Sequence, residues 1–280
     1  SLIAQDHPAD DHIILVLDGG STDNSKSEIE QAIVHSQQIN GPKIELIDNP
    51  GRHVSSARNL ALSLLPPSVT HLVELIGHCI VPVDHISTRM ESWQKFDLQT
   101  KENNSAPLGA LGVKVLPREG DLGMFESWVE GALSSPLGSG GGQFDNFSSP
   151  GKTRIPAFAT HLRSAVKEIG GWDDDFISCQ DSDLSMRMIE QGYCLMRCPE
   201  TTVSMAKRTS VKRWWKMGHR YGFWRTKTVL RHPKRISLRE YAPWFGLLLS
   251  MALFALSSEY WSIPAVLYGV VLLVEALRSS

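Results

Sequence analysis

The most constraining feature of the sequence is the alternation, in its first half, of apolar runs of strand length with segments of helical periodicity. Apolar runs at residues 13–17, 44–47 and 71–76 predict three strands, and helical patterns at residues 25–38 and 55–65 predict the helices between them. Strands that alternate with helices form a mainly parallel sheet covered by helices. The sequence therefore predicts an α/β fold.

The second half continues this pattern less regularly. Residues 108–116 and 155–159 predict further strands, and residues 180–191 predict a helix that ends at Gly192. Residues 134–151 are rich in Gly, Ser and Pro and predict a loop. With 280 residues, of which 42% are hydrophobic, the chain can bury one large core.

Charge is distributed unevenly along the chain. The formal net charge is −2, so there is no overall attraction to nucleic acid, yet residues 207–239 hold twelve Lys and Arg and no Asp or Glu. Trp, Tyr and Phe residues interleave with these cations at residues 214–224. This pattern favours lipid headgroups and a lipid diphosphate over nucleic acid, because an apolar segment follows directly.

The C-terminal segment is the most apolar part of the chain. Residues 242–257 and 261–277 are two nearly uncharged stretches, each near the lower limit of the roughly 17 to 25 helical residues that cross a bilayer. Lys and Arg gather on the cytoplasmic flank of membrane helices, so the preceding basic run favours a transmembrane hairpin with the folded domain in the cytoplasm. A buried helical hairpin is the alternative.

The cysteines do not indicate a disulfide framework or a zinc site. The chain has four, which are too few for a disulfide scaffold of this length and suit reduced thiols in the cytosol. Cys194 and Cys198 have no second Cys or His pair at metal spacing.

A DGGS turn at residues 18–21 follows the first predicted strand. It places the Asp18 carboxylate and free backbone amides at the carboxyl edge of the sheet, where open α/β folds bind ligands such as nucleotides. Asp and Gly also form plain turns, so this motif alone leaves both interpretations open.

Two other segments carry candidate chemistry. Arg58 follows a turn at residues 49–51, enters a helix, and can pair with a diphosphate through two hydrogen bonds. Asp181 and Asp183 begin another helix, and residues two apart do not share a helix face, so we favour Asp181 alone as the site carboxylate. The alternative is that both acids merely stabilise the positive end of the helix dipole.

In order along the chain, seven segments resemble family-two glycosyltransferases, especially the branch that builds succinoglycan-type exopolysaccharides. They are QDHP at 5–8, LDGGSTD at 17–23, GHCIVP at 77–82, SSPLGSGG at 134–141, GGWD at 170–173, QD at 180–181, and YGFWR at 221–225 with RHP at 231–233. The resemblance covers most of the chain.

The resemblance implies a GT-A fold, a nucleoside-diphosphate sugar donor, a divalent metal (Mn²⁺ or Mg²⁺) and inversion at the anomeric carbon. It implies Asp181 as the catalytic base and His78 as the metal residue. The residues that it implies as substrate-binding are Asp18, Arg58, Gln180 and Trp224. A general base and positive charge at the leaving diphosphate are what a single displacement requires.

Two departures from the family pattern bear on activity. Ile76 replaces the first acid of the metal motif, and His78 suits Mn²⁺ better than Mg²⁺, which prefers oxygen ligands. The alternative function is therefore a catalytically impaired membrane-bound homologue that binds a nucleotide sugar or a partner. Ser210 stands where processive synthases have Gln, which favours a distributive enzyme.

The predicted organisation has three parts. Residues 1–205 form a GT-A catalytic domain whose first strand is missing, residues 206–240 a basic aromatic juxtamembrane segment, and residues 241–280 two transmembrane helices. The expected location is the cell membrane, with the catalytic domain on the cytoplasmic side. The expected partners are the sugar donor, a lipid-linked saccharide acceptor and the membrane, but not nucleic acid.

Overall fold

The computed structural model describes residues 1–135, 137, 144, 147–207 and 210–279 of the chain. Half of the loop predicted at residues 134–151, including most of the SSPLGSGG motif, lies outside the described residues.

The first sheet has two parallel strands. Strand β1 (Ile13–Asp18) leads into helix α1 (Ser25–Gln38), which returns the chain to strand β2 (Lys43–Asp48). Helix α2 (Val54–Leu64) follows. The register pairs Asp18 with Asp48, so both strands end in a carboxylate at the same edge. These four elements confirm the predictions for residues 13–65.

A second, mixed sheet forms the centre of the domain. Its strands are β3 (His71–Val73), β4 (Cys79–Ile80), β5 (Leu108–Pro117), β6 (Gly151–Lys152), β7 (Thr160–Leu162) and β8 (Cys194–Met205). The order is β3-β7-β5-β8-β4, with β6 also paired to β8; β5 and β8 are parallel and the other pairs are antiparallel. In the described part of the chain β1 pairs with β2 only. That the GT-A domain lacks its first strand stays a prediction.

The strand predicted at residues 155–159 is wrong, because the observed strand, β7, begins at Thr160. Pro156 has no backbone N–H to donate to a neighbouring strand, and Phe158 has a φ of 42°, outside the extended region. The apolar composition of the segment reflects burial in an irregular connection.

Helices cover both faces of the second sheet. Helix α3 (His85–Glu102) packs Trp93 and Phe96 against Leu111 of β5. Successive strand residues point to opposite faces. The neighbouring residue of β5, Ala110, therefore packs in a different cluster, with Leu184 and Met188 of helix α6 (Gln180–Glu190). Helix α5 (Arg163–Glu168) joins that second cluster, and helix α4 (Met124–Ser134) follows β5.

Three helices end the chain: α7 (Val211–Arg231), α8 (Leu238–Ala255) and α9 (Ile263–Ser279). The predicted apolar hairpin exists as the pair α8 and α9, which contact each other. These helices have 18 and 17 residues, whereas a bilayer needs about 20. Within the described ranges, no helix combines the length and apolar character needed to span a membrane.

Candidate functional site

Asp18 closes the turn that follows β1. Its carboxylate, which is 7% exposed, accepts hydrogen bonds from the N–H of Gly20 at 3.1 Å, the N–H of Ser21 at 3.1 Å and the hydroxyl of Ser21 at 2.5 Å. The Ser21 hydroxyl, more than any other contact, holds the pKa of Asp18 below its usual value. The ionised carboxylate thus fixes the loop at residues 18–21, where a ligand was predicted.

A cleft of about 310 Å³ opens at this edge of the first sheet, lined by residues 18–20, residues 48–50 and Arg52. The Lys26 ammonium lies 2.8 Å from an Asp48 oxygen and 3.5 Å from an Asp18 oxygen. Arg52 adopts a left-handed backbone (φ 56°) beside Gly19 and Gly20. The cleft therefore offers both carboxylates and cations to a polar ligand.

Arg58, which was predicted to pair with a diphosphate, forms an ion pair with Glu74. Its Nη2 is 2.7 Å from Oε2 of Glu74, and its guanidinium lies over the Trp172 ring, 5.6 Å from the centroid. The other Glu74 oxygen is 3.1 Å from Nε2 of His161. Burial by itself raises the pKa of Glu74, but the charges of Arg58 and His161 outweigh it and the pKa is lowered. The Nη1 group of Arg58 is buried and has no hydrogen-bond partner in the described part of the chain.

Asn59 connects α2 to the loop that precedes α6. Its side-chain amide donates to the carbonyl of Trp172 at 2.7 Å and accepts from the N–H of Trp172 at 2.9 Å. The neighbouring Gly171 has a φ of +76°, and a Cβ there would lie only 2.6 Å from Oδ1 of Asn59. The close approach of the two segments thus depends on a glycine.

His78 is exposed in the short connection between β3 and β4. Near it, the thiol of Cys79 donates to the carbonyl of Ile76 at 2.9 Å. No group of three or more His, Cys, Asp or Glu side chains suited to a metal occurs among the described residues. The role of His78 as the metal residue stays a prediction.

The start of helix α6 presents the predicted base. Cys179 precedes the helix in a left-handed conformation (φ 61°) and turns the chain so that Gln180 and Asp181 begin the first turn. Asp181 is half-buried, and in the described structure its carboxylate accepts one hydrogen bond, from the N–H of Ser182 at 2.8 Å. The Oε1 atom of Gln180 is buried without a partner among the described residues.

Asp183 points away from this position, as predicted. It is fully buried and lies 2.8 Å from Nε of Arg187, 3.0 Å from Nε2 of His232 and 3.4 Å from Nη1 of Arg231. The Asp183 carboxylate is therefore held by protein side chains, whereas the Asp181 carboxylate can accept further hydrogen bonds.

Trp224 lies on α7 and reaches the loop before α6. Its ring is half-buried and lies 5.8 Å from the ring of Phe176, with the Lys227 ammonium 4.9 Å from its centroid. The structure thereby brings Trp224 near the segment that carries Gln180 and Asp181.

Contacts connect the predicted residues in two groups. Arg58 joins the Glu74 end of β3 to Trp172, and Trp224 joins α7 to Phe176; both partners lie in the loop that leads to Asp181. Asp18 belongs to the separate cleft of the first sheet. The sequence analysis missed Glu74, although an acid within the apolar run at 71–76 is a signal of a buried charge pair.

Known proteins resemble the chain in sequence and in fold. It is 24% identical over 265 residues to the succinoglycan biosynthesis protein ExoA of Rhizobium meliloti, covering 92% of this chain and 75% of that protein. A dolichyl N-acetyl-alpha-D-glucosaminyl phosphate 3-beta-D-2,3-diacetamido-2,3-dideoxy-beta-D-glucuronosyltransferase of Methanococcus voltae is 24% identical over 219 residues, or 78% of this chain and 64% of that protein. No family model matches the chain.

A solved structure resembles the chain in fold. The mannosyltransferase PcManGT of Pyrobaculum calidifontis, solved with GDP-Man and Mn²⁺, superposes on 99% of this chain and 75% of its own, with a TM-score of 0.63 and 15% identity. Together with the sequence relatives, this fold supports a family-two glycosyltransferase. The mixed α/β fold predicted for this glycosyltransferase is confirmed. Its sequence relatives also support the exopolysaccharide-type branch.

Proposed function

We propose that this glycosyltransferase moves a sugar from a nucleoside-diphosphate sugar to a lipid-linked saccharide, with inversion, in the synthesis of a cell-surface or exopolysaccharide. The observation that carries the proposal is the contrast between two neighbouring carboxylates. Asp181 is half-buried and accepts a single local hydrogen bond among the described residues, whereas Asp183 is buried against two arginines and His232. Asp181 is thus the carboxylate able to take a proton.

The proposed reaction is a single displacement. Asp181 accepts the proton of an acceptor hydroxyl while that oxygen forms a bond to the anomeric carbon of the donor. The bond from that carbon to the diphosphate oxygen breaks, and the nucleoside diphosphate leaves from the opposite face. Attack from one face and departure from the other invert the configuration at this carbon.

We propose that the sugar donor binds at the carboxyl ends of the strands and at the start of α6. The cleft beside Asp18 has the polar lining that a nucleotide requires, and Arg58 keeps one unpartnered Nη1 for a diphosphate oxygen in the described structure. Gln180 has a buried, unpartnered Oε1 suited to a sugar hydroxyl, and the Trp224 ring can cover a sugar face. The fold relative PcManGT was solved with GDP-Man, which supports a nucleotide-sugar donor.

A divalent metal fits this site only together with the donor. His78 would hold the ion jointly with diphosphate oxygens, because the described residues supply no larger ligand group. Mn²⁺ suits a histidine ligand better than Mg²⁺ does. Such an ion neutralises charge on the leaving diphosphate.

We place the catalytic domain on the cytoplasmic face of the cell membrane. Helix α7 exposes Lys212, Lys216 and Arg220, and the hairpin of α8 and α9 exposes large apolar side chains. Among these are Trp244, Phe245, Leu248, Met251, Leu267 and Leu273. Exposed apolar helices that follow a basic helix in the chain suit an anionic membrane and the lipid part of an acceptor. A relative acts on a dolichyl-phosphate-linked sugar according to its name, which supports such an acceptor.

The alternative is a catalytically impaired homologue that binds a nucleotide sugar or a partner. Ile76 favours it, since this residue stands where the family's metal motif has an acid, and no three-ligand metal group occurs among the described residues.

A donor screen with the full-length protein in detergent tests both functions. UDP-sugars and GDP-sugars are titrated by calorimetry with and without Mn²⁺, and sugar transfer to a membrane lipid extract is followed by mass spectrometry. Transfer with an inverted linkage, read by NMR, supports the proposal. Donor binding without transfer or hydrolysis favours the impaired homologue. Absence of any donor binding contradicts the proposed transferase and leaves only a homologue that binds a partner.

A further inference from the structure

The C-terminal end of the basic helix α7 is tied to the helix that carries Asp181. His232 lies between two carboxylates of α6, with Nε2 3.0 Å from Oδ1 of Asp183 and Nδ1 3.0 Å from Oε1 of Glu190. Arg231 pairs with Asp173, in the loop before α6, and lies 3.4 Å from Asp183. Two consecutive residues, Arg231 and His232, thus bind the loop before α6 and both ends of α6.

The same helix also packs on the loop through aromatic and cationic contacts. Phe176 is fully buried, with the Trp224 ring at 5.8 Å and the Lys227 ammonium 4.7 Å from its centroid. Lys227 in addition donates to the carbonyl of Asp175 at 3.0 Å. The loop that ends at Cys179 therefore has α7 along one side.

On the other side, Arg187 completes the attachment from within α6. Its guanidinium donates to the carbonyls of Ile169 and Gly171, both at 2.8 Å, and its Nε pairs with Asp183. Asp183 is thus the point at which cations from α6 and from α7 meet. A buried carboxylate is retained in place by its partners, because leaving it unpaired is costly.

We infer that Arg231 and His232 are positioning residues for Asp181, which they orient through Asp183 and Asp173 without touching the substrate. The inference rests on the proposed role of Asp181 as the base. Asp181 lies two residues before Asp183 in the first turn of α6, so a shift of the Asp183 carboxylate moves the Asp181 side chain with it. The RHP motif at 231–233 would then position Asp181, a role distinct from the membrane binding proposed for the exposed cations of α7.

The thiol of Cys179 provides a readout that does not depend on activity. Cys179 is buried immediately before Gln180 and Asp181, and burial raises the pKa of its thiol to about 11. The thiolate is the form that attacks thiol reagents, so Cys179 should label slowly at pH 8 while the loop is held. Labelling of each cysteine is measured by peptide mass spectrometry in full-length wild type, Arg231→Ala and His232→Ala, with Lys167→Ala as the control. Lys167 is an exposed cation on helix α5 to which no binding role is assigned.

In Arg231→Ala and His232→Ala we expect Cys179 to be labelled at least about 10-fold faster and turnover to fall roughly 10-fold to 100-fold at unchanged donor KM. Lys167→Ala should leave both unchanged. Arg231→Lys should restore most of both properties. If either alanine variant does not fold, Arg231→Gln and His232→Gln are compared in its place.

Unchanged Cys179 labelling in the folded variants would overturn the inference. Faster labelling with unchanged turnover would also overturn it and leave the proposed function intact. If the wild type shows no transfer, the proposed function fails and the claim about Asp181 fails with it, whereas the labelling still decides whether α7 holds the loop.

Discussion

Arg58 and Glu74 form an ion pair that joins the start of α2 to the end of β3, with 2.7 Å between Nη2 and Oε2 and side chains that are 20% and 11% exposed. Arg58, which was predicted from the sequence to bind a diphosphate, thus has the carboxylate of Glu74 as its partner. The same guanidinium lies over Trp172, so the pair also supports the loop before α6.

Breaking this pair should destabilise the fold. Arg58→Ala leaves Glu74 with little solvent access, and we expect a loss of roughly 2–4 kcal/mol in the free energy of unfolding, measured with urea at pH 7. The double variant Arg58→Met/Glu74→Met, which removes both charges, should recover much of this loss. An Arg58→Ala protein as stable as the wild type would show that the pair contributes nothing.

The pair should also make stability depend on pH. The pKa of Glu74 is lowered from its ordinary value of 4.5, so its contribution is complete above about pH 4.5 and is lost as pH falls through the lowered native value. Urea unfolding between pH 7 and pH 3 should show a smaller acid destabilisation for Glu74→Gln than for wild type. Equal pH dependence in both proteins would contradict this assignment.

Asp181→Asn should cost roughly 100-fold to 10,000-fold in turnover while donor binding survives, since an amide cannot accept the acceptor proton. The matched control is Asp175→Asn, an exposed acid in the preceding loop, which should transfer at the wild-type rate. Initial rates and donor titrations separate the two effects. Near-normal transfer by Asp181→Asn would remove it from the role of base.

His78→Ala tests metal use. Because the described residues form no three-ligand group, we expect Mn²⁺ to bind weakly alone and tightly when UDP or GDP is present. In His78→Ala the nucleotide should still bind, but Mn²⁺ should no longer tighten it. Electron paramagnetic resonance of free Mn²⁺ measures this directly. Mn²⁺ binding that is the same in both proteins would exclude His78 as a ligand.

The exposed cations of α7 should bind anionic vesicles. Lys212→Glu/Lys216→Glu/Arg220→Glu should weaken binding to vesicles containing phosphatidylglycerol on the order of 100-fold, at about 1 kcal/mol per cation near the surface. A triple variant with the same charge change at the exposed Lys43, Lys101 and Lys167 is the control. Sedimentation at two salt concentrations measures both. Equal loss in the control would indicate a net-charge effect.

The sequence predicted the elements whose patterns are local. β1, α1, β2, α2, β5 and α6 were found because their apolar periodicity is clean and Gly or Pro residues mark their ends. Strand β8 (Cys194–Met205) was missed, since polar residues such as Arg197, Glu200 and Thr201 interrupt its apolar pattern at intervals that suggest no single period. Its length follows from pairing along the whole of β5, which is a non-local contact.

The types of residue in the site could be predicted from the sequence, but the side chains with which they form ion pairs and hydrogen bonds could not. Two acids on α6 were separable from their spacing, and Asp183 indeed faces Arg187. The partner of Arg58 was not predictable in the same way, because Glu74 lies sixteen residues away on another element. The attachment of His232 to α6 likewise depends on how α7 packs after β8, which no local pattern specifies.

Gly171 limits how the loop before α6 can vary. A methyl group at this position would meet the Asn59 amide, and the left-handed backbone disfavours every other residue type. In a saturation library, position 171 should therefore retain glycine even after Asn59 is shortened to alanine, because removing the clash leaves the backbone strain. New donor or acceptor preferences in this protein would then have to arise from substitutions of the residues around Gly171 and not from substitution of Gly171 itself.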